Sequence, residues 1–315
     1  MEPVCRNAED VFSLKTVEQN QGFCPQDDIV LLTFDDNYVD QSVNLILSIA
    51  QHHPKGVSFV CVCPVLRPEN VELLMGLSQG IQLRSYEFTL SSLAVDTVRW
   101  SLCAVLRLFC PWLLEDTIHR VLYMDSDILC SGSLRELFDL DVPCIAMCNE
   151  ISGNVSNTQQ KQMRSYLPTE IYCNSGVVVF NLDCLRENYT FQELYKALCA
   201  ISGKVTYLDQ DFLNIFFRGK ITYVNAFHYN FQAYELRKTP FYETALRNCR
   251  LIHFSVGKPW KYKTRLRFIL LYLKYSRHPA MIRRVRKTLL LSILYCPIRI
   301  SRRIVSRVKH LFLRG

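Results

Sequence analysis

The sequence predicts an α/β protein built on a mainly parallel central sheet, and three observations predict it. Short continuous apolar runs read as buried strands: IVLLTF at 29–34, VSFVCVC at 57–63 and VLYM at 121–124. Segments with apolar residues at helical spacing alternate with them. Two of the runs stop abruptly at acids, Asp35-Asp36-Asn37 and Asp125-Ser126-Asp127. Continuous apolar strands separated by helices are what a parallel sheet covered on both faces requires, and such sheets bind ligands outside the carboxyl ends of their strands.

Taken in order, residues 1–27 show weak periodicity and are expected to form a poorly ordered leader. Ile29 to Phe34 is the first strand, and QSVNLILSIAQHH, with apolar residues at 43, 46, 47 and 50, is a helix. VSFVCVC is the second strand. Leu66 to Gly80 reads as a second helix with Gly80 as its C-cap. After a less regular stretch, Thr97 to Leu114 is helical with a break at Pro111, and VLYMDSDIL is a further strand. The main domain is expected to span residues 28–260.

The chain has 315 residues, 49% of them apolar and 21% charged, which excludes a protein disordered throughout. Gly 11 and Pro 12 exclude a collagen-like or low-complexity chain. No uninterrupted apolar run reaches the roughly 18 residues of a spanning helix. The N-terminal MEPVCRNAEDVFSLK lacks the apolar core of a secretion signal, so the 14 cysteines read as reduced residues, several in apolar runs such as CIAMC at 144–148. Charge is unevenly placed. From Lys261 to Gly315 there are 16 Lys and Arg and no acid, which leaves the other 260 residues with 21 basic and 29 acidic side chains.

Asp125 and Asp127 are two apart at a strand end, so in extended backbone both project to one side and can share a cation. Carboxylate oxygens suit Mn²⁺ or Mg²⁺, which can hold a diphosphate and promote its departure. The chain contains neither GxGxxG nor GxxxxGK[ST], so an NAD-type fingerprint and a P-loop are both absent. Taken in isolation, a DxD is read first as one carboxylate that caps the next turn and one that is solvated.

The DxD is accompanied, in order, by FDDNY at 34–38, RLFCPWLL at 107–114, NSGVVVFNL at 174–182, YLDQDFLN at 207–214 and HFSVGKPW at 253–260. Together these blocks resemble glycosyltransferase family 8, the retaining transferases that include bacterial lipooligosaccharide galactosyl- and glucosyltransferases and the glycogenins. The resemblance covers residues 29–260. It implies a single GT-A type nucleotide-sugar-binding domain and a hexosyltransferase that uses a UDP-hexose, galactose or glucose, with Mn²⁺ or alternatively Mg²⁺. It further implies that Asp125, Asp127 and His253 ligate the metal, and that Asp35, Asp36, Asn37, Tyr38, Arg107, Gly257 and Lys258 bind the nucleotide. Asn149, Asn174, Asp209 and Gln210 would face the donor sugar. By the same resemblance Gln210 would lie nearest the anomeric carbon, and Asp209 would be the alternative nucleophile. Asn149 stands where the family often has Asp, so the donor could differ from UDP-galactose.

Residues 261–315 are expected to be a basic amphipathic tail. From Ile298 to Leu313, apolar residues at 300, 304, 305, 308, 311 and 312 recur at helical spacing opposite Arg302, Arg303, Arg307 and Lys309. An anionic membrane surface is the expected partner and nucleic acid is not, because so large an apolar face would be wasted on phosphate. The expected location is cytoplasmic, peripherally on the inner face of the membrane, where the glycan acceptor could be lipid-linked. Alternatives are a phosphohydrolase of the haloacid dehalogenase type using the DxD, and an inactive membrane-bound scaffold with the transferase fold.

Overall fold

The computed structural model describes residues 8–88, 102–150, 171–238, 240–261 and 264–294. In chain order, β1 (Phe12–Gln19), β2 (Asp28–Thr33), α1 (Val39–Ala50), β3 (Val57–Pro64), α2 (Pro68–Met75) and β4 (Gly80–Phe88) form the first half of the sheet. They are followed by α3 (Leu102–Leu106), α4 (Cys110–Leu113), β5 (Arg120–Met124), β6 (Ile128–Cys130), α5 (Arg135–Phe138) and β7 (Ile145–Asn149). The second half comprises β8 (Cys173–Asn181), α6 (Leu182–Asn188), α7 (Phe191–Ile201), α8 (Leu208–Phe216), β9 (Ile221–Val224) and α9 (Ala226–Tyr229). The chain continues through β10 (Phe231–Gln232), α10 (Tyr242–Asn248), β11 (Leu251–His253), α11 (Leu266–Tyr275) and α12 (Pro279–Leu294).

Eight strands make one mixed sheet in the order β1-β4-β3-β2-β5-β8-β7-β9, and β10-β11-β6 make a second. The pairs β3–β4, β2–β3, β2–β5 and β7–β9 are parallel, while β1–β4, β5–β8 and β7–β8 are antiparallel. The continuous apolar runs follow from cover on both faces. Ile29, Leu31, Val60, Val62 and Tyr123 pack into one core with Phe109 and Phe191. Their alternates Val30, Leu32, Phe59, Cys61, Leu122 and Met124 pack on the other face against Val43, Ile46 and Ile49 of α1. The cysteines of β3 and β7 are buried thiols, as the sequence suggests, and burial raises that of Cys61 to about 12.

Several expectations are corrected. The segment expected to be a leader is folded from Ala8 onward: β1 forms the sheet edge, paired antiparallel with β4, and Val11 and Phe12 are buried. Its alternation is hidden because the register shifts between Leu14 and Thr16, and most of the strand faces solvent. Gly80 does not cap the second helix, which ends at Met75; it opens β4, where the Gly22 carbonyl oxygen lies 2.3 Å from where a Cβ would stand. The stretch read as irregular therefore begins as a strand, which runs to Phe88 and is masked by the buried polar side chains Gln82 and Arg84; its remainder lies outside the described residues. Pro111 sits in the first turn of α4, where its fixed φ and missing N–H are tolerated, so it starts that helix rather than only breaking one.

Residues 264–294 likewise pack on the domain instead of extending from it. Phe268, Ile269, Tyr272, Met281 and Val285 join a third core with Phe254 and Trp260. Asn44 of α1 clamps the α11–α12 junction. Its Nδ2 donates to Tyr272 Oη at 3.0 Å, and its Oδ1 accepts from the backbone N–H groups of Arg277 and His278 at 2.7 and 2.8 Å. The amphipathic pattern at 298–313 lies outside the described residues.

Candidate active site

β5 carries the chain to the carboxyl edge of the sheet, where Asp125, Ser126 and Asp127 turn it into β6. The turn is anchored from three sides. Asp125 N–H donates to Gly176 O at 2.9 Å, Ser42 Oγ of α1 donates to Ser126 Oγ at 2.8 Å, and Phe254 N–H donates to Asp127 O at 3.0 Å. Because β11 pairs antiparallel with β6, with His253 opposite Ile128, the imidazole arrives beside the two carboxylates despite its distance along the chain. One ligand atom from each of Asp125, Asp127 and His253 lies within 4.8 Å of the others. His253 Nε2 is 3.0 Å from Asp127 Oδ1 and 3.8 Å from Asp125 Oδ2.

These residues fit a divalent cation on two grounds. Asp127 Oδ1 is buried and makes no hydrogen bond, a costly arrangement unless a positive centre compensates it. The opposite ring nitrogen of His253, Nδ1, lies 2.7 Å from Asn230 Oδ1, so it carries the proton and Nε2 turns its lone pair toward the carboxylates. Two carboxylates and an imidazole form a set that Mn²⁺ accepts and Mg²⁺ tolerates.

Fixed positive charge surrounds the cluster. Arg107 lies on a 3-10 turn after α3, only 9% exposed; its Nη1 is 2.8 Å from Asp125 Oδ1 and 3.3 Å from Asp209 Oδ2, and its guanidinium stands 4.5 Å over the Tyr123 ring. Burial alone would push Asp125 up, yet the Arg107 guanidinium beside it holds it below the usual carboxylate value. Lys258 donates to Asp127 Oδ2, and burial drags its ammonium down to about 8 against the pull of Asp125. Gly257, at φ +72°, makes the turn before it, and a Cβ there would come within 2.9 Å of the Tyr234 ring.

A cavity of about 240 Å³ opens beside the cluster, lined by Thr33, Phe34, Asp35, Tyr38, Arg107 and Asp127 among others. The polar loop after β2 is thereby divided. Asp35 and Tyr38 face the cavity, whereas Asp36 turns away to accept from Arg67 N at 3.1 Å and Asn70 Nδ2 at 2.6 Å at the start of α2. Asn37 folds back on Asp35 and is not among the lining residues. A larger cavity, about 670 Å³, lies around Asp28 and Arg120 at the amino ends of β2 and β5 and touches none of these residues.

On the other side of the cluster stand the amides. Asn174 and Ser175 open β8, and Asp209 and Gln210 lie in the first turn of α8; all four are buried. Gln210 Oε1 accepts from Asn174 Nδ2 at 3.0 Å and Ser175 N at 3.1 Å, and Asp209 Oδ2 accepts from Ser175 Oγ at 2.8 Å. Asn149 is half-buried at the end of β7, opposite Cys173.

Sequence reasoning missed several polar partners here. Tyr172 Oη accepts from Gln210 Nε2 at 2.8 Å and donates to Asp211 Oδ1 at 2.5 Å. Glu150 accepts from Asn174 Nδ2 at 3.1 Å and from Gln232 Nε2 at 2.8 Å, and Asn230 bridges His253 to Asn174. The available signal was YNFQ at 229–232, where two amides alternate with apolar residues; both prove buried.

The family model for Glycosyl transferase family 8 matches residues 29–264. The chain is 27% identical over 176 residues to a lipopolysaccharide 1,3-galactosyltransferase of Salmonella typhimurium, covering 52% of this chain and 51% of that protein. It is 24% identical over 243 residues to a lipopolysaccharide 1,2-glucosyltransferase of Escherichia coli, covering 72% and 70%. Of the first curated relatives it matches, the chain spans 61% and 51% of the length. Among solved structures, an active-site mutant of LgtC superposes with a TM-score of 0.63 at 22% identity, over 82% of this chain and 99% of that one. The apo bifunctional glycosyltransferase WbbM gives 0.65 at 22% identity, over 84% and 52%. These two structural likenesses concern the fold.

Proposed function

The chain belongs to glycosyltransferase family 8, and on that premise we propose that it moves a hexose, galactose or glucose, from a UDP-sugar to a glycan acceptor with retention of configuration. The observation that carries this reading is the convergence of Asp125, Asp127 and His253 between a cavity of about 240 Å³ and a wall of buried amides. Family membership removes the phosphohydrolase alternative. Named relatives act on lipopolysaccharide, which favours a glycan acceptor of that kind, lipid-linked at a membrane.

Asp125, Asp127 and His253 would hold Mn²⁺, with Mg²⁺ as the alternative. When bound, the cation supplies charge neutralisation to the diphosphate and stabilises departing UDP. Arg107 and Lys258 place fixed charge along the same diphosphate, Lys258 as a compact point charge following the Gly257 turn. Asp35 and Tyr38 present a hydrogen-bond acceptor and a stacking face to the uridine. Asp36 and Asn37 shape the loop from behind. Asn174, Asn149 and Asp209 read the sugar hydroxyls, and Gln210 lies beneath the anomeric carbon. An amide held this way is a poor nucleophile, so attack comes from the leaving-group face, a diphosphate oxygen taking the acceptor's proton. Asp209, held between Ser175 and Arg107, is the nucleophile of the alternative covalent route.

Attachment to the inner, cytoplasmic face of a membrane completes the proposal. Among the described residues no helix is long and apolar enough to cross a membrane. Leu266 and Leu270 of α11 and Leu290 and Ile293 of α12 are 48 to 61% exposed amid Arg267, Arg283, Arg286 and Lys287, with no acid from Lys261 onward. That mixture suits an anionic interface, at about 1 kcal/mol per basic side chain near the surface. The test is UDP release from a panel of UDP-sugars with Mn²⁺, with and without EDTA. Slow, metal-dependent release selective for one sugar supports the transferase; absence of both turnover and UDP binding would leave a scaffold.

A further inference from the structure

Two backbone N–H groups can only donate, and they set the direction of a hydrogen-bond chain that runs through the whole site. Gly176 N donates to Asn174 Oδ1 at 2.9 Å, so Asn174 must present its Nδ2 to Gln210 and Glu150. Ser175 N donates to Gln210 Oε1 at 3.1 Å, so Gln210 must present its Nε2 to Tyr172 Oη. Tyr172 therefore donates onward to Asp211, and burial raises its pKa and keeps the hydroxyl protonated for that purpose. Followed the other way, Asn174 Oδ1 also accepts from Asn230 Nδ2 at 2.8 Å. Asn230 is then obliged to turn Oδ1 to His253 Nδ1, 2.7 Å away, and that nitrogen must carry a proton.

We infer that Asn230 is a positioning residue that couples the metal ligand to the sugar-facing amides. Through its two bonds it fixes the His253 tautomer with Nε2 facing Asp125 and Asp127, and it fixes the Asn174 amide in the orientation that places Gln210. Asn230 is fully buried, so no water replaces it readily. Its two functions are chemically separable, because one uses its oxygen and the other its amino group. The inference rests on the transferase reading above and deepens it.

The test uses the full chain with Asn230→Ala and Asn230→Asp, measuring Mn²⁺ affinity by electron paramagnetic resonance without nucleotide, and kcat and KM for UDP-sugar hydrolysis at saturating Mn²⁺. Asn230→Ala loses both arms and should weaken Mn²⁺ binding about 10- to 100-fold, as loss of a partner to a ligating histidine does. Asn230→Asp still accepts from His253 Nδ1 and should keep Mn²⁺ affinity within about threefold of wild type. It cannot donate to Asn174, so kcat should fall about tenfold or more. A nitrogen-detected NMR spectrum of histidine-labelled protein should show the Nδ1–H tautomer in wild type. Equal Mn²⁺ binding by all three proteins, or equal loss in both variants, overturns the coupling while leaving the transferase reading in place. Wild-type protein that binds no Mn²⁺ and whose UDP-sugar hydrolysis depends on no divalent cation overturns both. If Asn230→Ala does not fold, the split between metal binding and kcat in Asn230→Asp decides alone.

Discussion

Gly176→Ala tests whether the proposed metal site depends on backbone packed against the His253 imidazole. A Cβ at position 176 would lie 2.5 Å from His253 Cε1 and 2.9 Å from both His253 Nδ1 and Asn174 Oδ1. Ordinary contact begins near 3.5 Å, so the ring must retreat by about 1 Å. His253 has little room to do so: it is 2% exposed, paired in β11, and tied to Asn230. A ligand constellation tolerates displacement of about 0.5 Å. The substitution should therefore weaken Mn²⁺ binding by about 10- to 100-fold and, as overpacking, lower stability by about 1–3 kcal/mol. Titration of Mn²⁺ by electron paramagnetic resonance and urea unfolding of the same preparation measure the two effects separately. A folded variant with wild-type Mn²⁺ affinity and turnover would refute the steric argument.

Asp127→Asn should abolish metal-dependent UDP release while circular dichroism and the unfolding transition remain those of a folded protein; undiminished turnover would remove Asp127 from the metal. Asn44→Ala deletes the contacts that hold the α11–α12 junction to α1 and leaves two backbone N–H groups without their partner. It should cost about 1–3 kcal/mol in urea unfolding, and a change below about 0.5 kcal/mol would show the junction to be held elsewhere. Removing residues 295–315, which leaves the packed helices intact, should reduce binding to anionic vesicles, more at low salt than at high. Binding that is unchanged would assign the attachment to the exposed leucines of α11 and α12 or to another surface.

Much of the sheet is legible in the sequence because burial on two faces makes β2, β3 and β5 almost continuously apolar, with polar residues only at or next to their ends. β4 was hidden for the converse reason: Gln82 and Arg84 are buried but polar, Arg84 reaching Glu115 at 3.1 Å, and a pattern reader sees only mixed character. β1 was hidden by its bulge and its exposure. Asp125 and Asp127 could be recognised from their spacing of two, and His253 only through the resemblance, since its place depends on β11 pairing with β6. The loop at 35–38 shows where residue type misleads. Asp35 and Asp36 are chemically alike, but the start of α2 claims one and the cavity receives the other. Tyr172 and Glu150 had no spacing signal, and the alternation in YNFQ marks Asn230 without naming its partners, because those partners come from β8, α8, β10 and β11, which only the folded chain brings together.

The most direct measurement is an anomalous diffraction map from crystals grown with Mn²⁺ and UDP. The account predicts one strong Mn²⁺ peak bounded by Asp125, Asp127 and His253 Nε2, in contact with the diphosphate. A peak bound elsewhere, or UDP seated with those three side chains turned apart, would contradict it.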